Sequence, residues 1–222
     1  MTDTSLNTTS FNAMRHAMVA SQLRTTAVDD VRVVAAMARI PREEFLPEGL
    51  RKHAYRDTAI ALSPTRSMNS PMATGRLLTE AAISENDRVL LIGAACGYTA
   101  ALVAVLAGSV VAVEEDADLA QAARQSLSSY ARASLVEGPL VAGAPDQAPY
   151  DILVIDGAVA AVPESLIAQV RPGGRMVGGL IDRGVTRLAS GTRSVGGAAL
   201  VAFADVECVV LPGFAAAPVF TF

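Results

Sequence analysis

Two periodicities divide the chain. In the first third, apolar positions recur at helical spacing. Phe11, Met14, Met18 and Leu23 predict a helix over 11–23 behind Ser10 as its cap, with residues 1–10 a disordered polar tail. Val31, Val34, Ala35 and Met37 predict a second helix, opening near Asp29 or Asp30 and stopping before Pro41, because the residue preceding proline is pushed out of helical geometry. Residues 45–62 read as irregular, 63–72 as a loop bounded by Pro64 and Pro71, and 73–83 as a helix. From residue 88 onward, short β-branched and aliphatic runs alternate with helical stretches. Residues 88–115 read as a strand, a small-residue loop, a helix and a second strand ending in an acid. A helix over 117–130 follows, with Leu119, Ala123 and Leu127 on one stripe. Then come a short strand over 133–136, a loop over 139–149 and a buried strand over 150–155 closed by Asp156-Gly157. A helix over 162–170 begins at Pro163, a favoured first-turn residue, and Pro172-Gly173-Gly174 turns into a strand over 175–177. Runs at 187–189 and 199–207, with Gly191, Gly196 and Gly197 between them, suggest a hairpin. The alternation predicts an α/β fold with a doubly wound, mostly parallel, Rossmann-like sheet, an N-terminal helical extension and a C-terminal β-hairpin. A ligand then belongs above the carboxyl ends of the strands.

The unit at 88–115 has the features of a site for an adenosine-bearing cofactor. Gly93, Ala95 and Gly97 occupy the tight loop positions where backbone approaches a ligand, and Glu114 lies about 20 residues beyond, the separation expected of a ribose-binding carboxylate. Competing readings exist. Residues 89–113 carry no charge and are long enough for a membrane span, with Gly93 and Gly97 at the spacing of a membrane helix pair. The run breaks at Gly93, Gly97 and Gly108-Ser109, however, and no basic cluster flanks it. A ligand-free buried βαβ unit stays open. A nicotinamide site wants a third glycine further into the helix, where Tyr98, Thr99 and Ala100 stand, so the spacing favours a methyl donor.

Composition narrows the chemistry. The 222 residues suffice for one substantial domain, and 51% are apolar, enough for a full core. With a formal net charge of −4 and Lys52 as the sole lysine, a nucleic-acid-binding surface is not expected. Cys96 and Cys208 lack metal-ligand spacing and suit a reducing compartment. The polar N-terminus does not resemble an export signal, so a cytoplasmic location is expected, without membrane association. His16 and His53 are the only histidines, too few for histidine-rich metal sites and poorly placed for histidine triads. Methyl transfer to a carboxylate needs neither.

Several segments, in shared order and spacing, carry a resemblance over nearly the whole chain, from about Met18 onward: Pro41-Arg42-Glu43-Glu44-Phe45-Leu46-Pro47, Ala54-Tyr55-Arg56-Asp57, Ser70-Pro71-Met72, Val89-Leu90-Leu91-Ile92-Gly93 with Gly97-Tyr98-Thr99, Ala148-Pro149-Tyr150-Asp151, and Pro172-Gly173-Gly174-Arg175. Together they resemble the protein-L-isoaspartate O-methyltransferases. The resemblance implies a class I methyltransferase fold, S-adenosyl-L-methionine as donor, and an isoaspartyl residue in a damaged protein or peptide as acceptor. It divides the chain into a helical extension with an active-site loop over 1–80 and a donor-binding α/β domain over 81–222. Asn69 stands at the position of the family's active-site serine and is assigned to acceptor orientation. Gly93, Ala95, Gly97, Glu114, Gly138 and Asp156 are assigned to the donor. The sequence departs from the family pattern at Asn69, at Leu91 in place of an acid, and at Gly138-Pro139-Leu140 in place of Gly-Asp-Gly, with Glu137 adjacent as a substitute acid. Arg66 reads as a solvated loop arginine, the alternative being a partner for an acidic substrate or the donor's carboxylate. Cys96 reads as a small filler. Those departures keep two other readings open: a catalytically silent relative that binds the donor or only a protein, and a transferase with a different acceptor.

Overall fold

The computed structural model describes residues 3–214, with side chains from residue 10 onward. The chain opens with α1 (Asp3–Met18), continued by a wider π turn, Val19–Leu23. The expected tail over 1–10 is therefore corrected: the backbone is helical from Asp3, Ser10 lies inside the helix, and Met1 and Thr2 fall outside the described residues. Helix α2 (Val31–Arg39) is capped by Asp30, whose carboxylate accepts the Arg32 N–H at 2.8 Å. Two 3₁₀ turns, Arg42–Phe45 and Glu48–His53, lead into a small antiparallel hairpin, β1 (Ile60–Ala61) with β2 (Ser67–Met68), where only a loop was expected after residue 63. Helix α3 (Pro71–Ala81) starts at Pro71, with Ser70 Oγ accepting from Ala73 N at 3.2 Å.

The main sheet then forms from β3 (Arg88–Ile92), β4 (Ser109–Glu114), β5 (Ala133–Glu137), β6 (Tyr150–Val159), β7 (Val170–Asp182), β8 (Val185–Ser194) and β9 (Gly197–Ala204), with helices α4 (Tyr98–Leu106), α5 (Ala117–Ser126) and α6 (Glu164–Ile167) between them. Its order is β5-β4-β3-β6-β7-β8-β9; the first five strands are parallel, and β8 and β9 return antiparallel. The uncharged run at 89–113 is strand, loop, helix and strand, and among the described residues no helix is long and apolar enough to cross a membrane. Alternate residues of the central strands feed two cores. Val89, Leu91, Ala112 and Val154 face the one packed by α2, α3 and α4; Leu90, Ile92, Val113 and Ile155 face the other, with Leu140, Leu166, Leu211 and Phe214. Burial on both faces is why these strands read as unbroken apolar runs.

The ends of several elements differ from expectation. The helix expected over 162–170 is the single turn of α6, with Pro163 outside its first residue. Pro172-Gly173-Gly174 lies within β7, where the pairing steps from Tyr150↔Val170 to Ile152↔Arg175, so it forms a bulge rather than a turn before the strand. Strand β6 runs past Asp156-Gly157 to Val159 across a second register shift. Sheet order reverses between β3 and β6. That switch point leaves a crevice above Gly93 and Asp156, where ligands of such sheets bind.

Candidate active site

The loop after β3 has the geometry its small residues predict. Gly93, Ala95 and Gly97 have φ of 87°, 48° and 97°, left-handed conformations that favour glycine and strain alanine. Glu114, at the carboxyl end of β4, has no solvent exposure. Its Oε2 accepts the Ala95 N–H at 2.7 Å, and its Oε1 accepts the Glu115 and Asp116 N–H groups at 3.1 and 3.2 Å.

Arg66 adds two more donors: its Nε reaches Glu114 Oε1 at 3.1 Å and one terminal nitrogen reaches Oε2 at 2.7 Å. The reading of Arg66 as a solvated loop arginine is thus corrected. It is 2% exposed in the turn of the β1–β2 hairpin, where its carbonyl accepts from Leu62 and Ser63 N–H. Burial is possible because the fork meets a carboxylate squarely. A carboxylate has about four lone-pair sites, and here five N–H groups fill them.

The rest of the crevice is filled from the far end of the sequence. After β9 the chain crosses the switch point: Ala158 N–H donates to Val209 O at 2.6 Å, and Leu211 N–H donates to Ala158 O at 3.0 Å. Leu211 is buried against two glycines. A Cβ added to Gly157 would lie 2.5 Å from Leu211 Cγ; one added to Gly93 would lie 3.1 Å from Leu211 Cδ2 and 3.3 Å from Arg66. The glycine cradle that would admit a nucleoside is occupied by the protein's own side chains. In this arrangement Arg66 and Leu211 lie against Gly93 and Glu114, the surface assigned to the donor. Leu91 takes no part, since it packs on the other face of β3, and Cys96 is the inert filler expected, its thiol pushed up to about 11 by burial and by Glu114.

Asn69 and Asp156 form a second cluster. Asn69 Nδ2 donates to Asp156 Oδ1 at 2.7 Å, its Oδ1 accepts the Val209 N–H at 2.9 Å, and its carbonyl accepts from Arg42. Arg42 is fully buried, donates to Ala54 O at 2.8 Å and lies 4.7 Å from the Tyr98 ring centroid. Burial raises the Asp156 carboxyl above its ordinary range, against the pull of Thr99, Asn69, Arg42 and Arg66. Beyond Asn69 opens a cavity of about 1000 Å³, lined among others by Asp57, Ser67, Thr186, Arg187, Asp205 and Val210. Gly138 stands just past the end of β5, where an added Cβ would meet nothing within 4 Å among the described residues. Glu137 points away as a substitute acid, pairing on the surface with Arg124 at 2.7 Å. Sequence reasoning brought Gly93, Ala95, Gly97, Glu114 and Asp156 to one sheet end. It missed Arg42, which the resemblance contained without a role, and Leu211, for which no local signal exists.

The strand order, the glycine loop and the acid ending β4 define a class I methyltransferase fold. The protein-L-isoaspartate(D-aspartate) O-methyltransferase family matches residues 13–194. The chain belongs to that family. It is similar to the protein-L-isoaspartate O-methyltransferase of Methanoculleus marisnigri, 38% identical over 73% of this chain and 75% of that one. It is also similar to protein-L-isoaspartate O-methyltransferase 1 of Rhodopseudomonas palustris strain HaA2, 36% identical over 92% and 85%. A solved protein-L-isoaspartate O-methyltransferase shares the fold with a TM-score of 0.79 at 21% identity, covering 90% of this chain and 66% of that one. So does a Plasmodium falciparum relative solved with S-adenosyl-L-homocysteine, with a TM-score of 0.71 at 16% identity and coverage of 90% and 97%.

Proposed function

We propose that this chain is a cytoplasmic S-adenosyl-L-methionine-dependent O-methyltransferase that esterifies the carboxylate of isoaspartyl residues in damaged proteins or peptides. Membership of the family over residues 13–194 carries the reading. The cavity beside Asn69, at the same sheet end as the glycine loop, supports it. A bound donor supplies an electrophilic methyl group with a good leaving group behind it. The acceptor carboxylate is already ionised at neutral pH, so the chain needs no catalytic histidine, and its task is alignment and exclusion of water. Asn69 lines the cavity, and its amide is assigned to the acceptor carboxylate. Asp57, Asp205 and Glu207 outnumber Arg187 around the cavity, which favours peptides with basic neighbours. Gly93, Ala95 and Gly97 are assigned to the donor, Glu114 to its ribose, and Gly138 and Asp156 to the rims, in a state from which Arg66 and Leu211 have withdrawn.

The saturated Glu114 favours a second reading, a relative silent toward the donor. Incubation with a methyl-labelled donor and an isoaspartyl peptide separates the two. The transferase reading expects a base-labile ester that is absent with the matched aspartyl peptide, and Asn69→Ala should lower the rate of its formation. No ester at saturating donor leaves the silent reading.

A further inference from the structure

We infer that Arg66 and Leu211 are internal occupants of the donor recess, a two-part plug that free donor must displace. The inference rests on the donor assignment proposed above. Its basis is chemical substitution at each half of the recess. A ribose diol presents two hydrogen-bond donors to one carboxylate, and Arg66 presents two N–H donors to Glu114 at 3.1 and 2.7 Å, with opposite charge added. A nucleoside needs the surface that Gly93 and Gly157 leave bare, and Leu211 fills it from both sides.

Both halves sit on peripheral elements. Arg66 lies on a hairpin whose strands have two residues each. Leu211 lies on a strap that meets β6 through a single bridge, Ala158↔Val210, outside the main sheet. The strap is held further by Cys208 N–H to Thr186 Oγ1 at 3.0 Å, by Val209 N–H to Asn69 Oδ1 at 2.9 Å and by the burial of Val206, Cys208, Leu211 and Phe214. Neither element contributes a strand to the seven-stranded sheet. The closed arrangement is also imperfect, because Arg66 Nη1 is buried with no hydrogen-bond partner among the described residues. Such an orphan donor is a penalty that the closed state carries and an open state relieves. Asn69 joins the strap to Asp156 at the acceptor side, so the two recesses share a latch.

The test is calorimetric titration of the full chain with S-adenosyl-L-homocysteine, comparing the unaltered protein with Leu211→Ala, Arg66→Ala and the double variant. When only a minor open fraction is competent, apparent affinity falls by that fraction, so unplugging should tighten binding, by about tenfold or more in the double variant. Leu211→Ala leaves the ion pair untouched and should tighten binding by itself, which keeps the test valid where Arg66→Ala folds poorly. Equal affinity across the unaltered chain and its folded variants overturns the plug and leaves the transferase reading standing. Absence of binding in every folded variant overturns both.

Discussion

Two recesses lie at the same end of the sheet, on either side of Asn69, and differ in almost every physical respect. The one above Gly93 is dry and full, with an ion pair whose side chains are 1% and 0% exposed. The one bounded by β2, β8 and the segment before β1 is open, and its arginine, Arg187, bridges Asp182 and Asp205 while 39% exposed. The contrast shows what a glycine loop does and does not encode. Positive φ and missing Cβ atoms create room for close approach, and a ligand or the chain's own leucine can use that room equally. Backbone geometry defines the cradle; residues remote in sequence decide what lies in it.

If the recesses differ as described, matched substitutions should have very different consequences. The largest is expected at the buried pair. Arg66→Ala strands Glu114 without its counter-charge and should cost about 3–5 kcal/mol of stability, whereas Arg187→Ala in the open recess should cost less than about 1 kcal/mol. Urea unfolding of the two variants measures the gap, and equal losses would contradict the contrast. Next in size is the apolar half. Leu211→Ala should lose about 2–4 kcal/mol through the vacancy left between Gly93 and Gly157. Its neighbour Val210, 56% exposed on the cavity side, should tolerate alanine within about 0.5 kcal/mol.

The same contrast explains what could be read in the sequence. The α/β alternation, the loop and its acid were legible because each is encoded within about thirty residues by local rules. Asp30, at the expected start of α2, caps it with its own side chain, whereas Ser70 caps α3 from inside the expected loop. Element ends were less legible where tertiary pairing overrode local signals: Pro172-Gly173-Gly174 has the composition of a turn, but is a bulge within β7 because β6 pairs on both sides of it, at Val170 and at Arg175. The plug was not legible at all. Arg66 and Glu114 are 48 positions apart, and Leu211 meets Gly93 only because the chain doubles back after β9. The donor-side composition identifies a family, and the closed state depends on contacts that no local window contains.

Each recess also holds a thiol, which makes alkaline pH a smaller probe of both. Burial pushes Cys96, in the donor loop, from 9.0 to about 11 and Cys208, on the cavity side, from 9.0 to about 12. Tyr98 rises from 10.0 to about 12 for the same reason. A folded-state value above the unfolded one means that the stability contribution is complete below the ordinary value and is lost as pH climbs toward the shifted value. The chain should therefore be insensitive near neutrality and lose on the order of 3 kcal/mol by about pH 10. Urea midpoints across this range test the slope, and Cys208→Ala and Cys96→Ala should each flatten it by a similar amount. Neither thiol should react with a thiol reagent at neutral pH until the chain unfolds. Fast labelling of Cys96 alone would mean that the donor recess opens more readily than the other side.

The smallest expected effect tests whether the cradle is strained for a ligand's benefit or simply folded. Ala95 holds φ at 48° while its N–H donates to Glu114, a conformation that costs a non-glycine residue about 1–2 kcal/mol. Glycine removes that strain but gives the unfolded chain more freedom, which offsets about 0.4–1 kcal/mol of the gain. The balance should leave Ala95→Gly more stable by less than about 1 kcal/mol. Because the hydrogen bond to Glu114 comes from the backbone, it survives the change, and S-adenosyl-L-homocysteine affinity should stay within about twofold of the unaltered chain. A clear loss of stability would show that the alanine methyl group packs against the plug, which would extend the occupied recess from Gly93 along the loop.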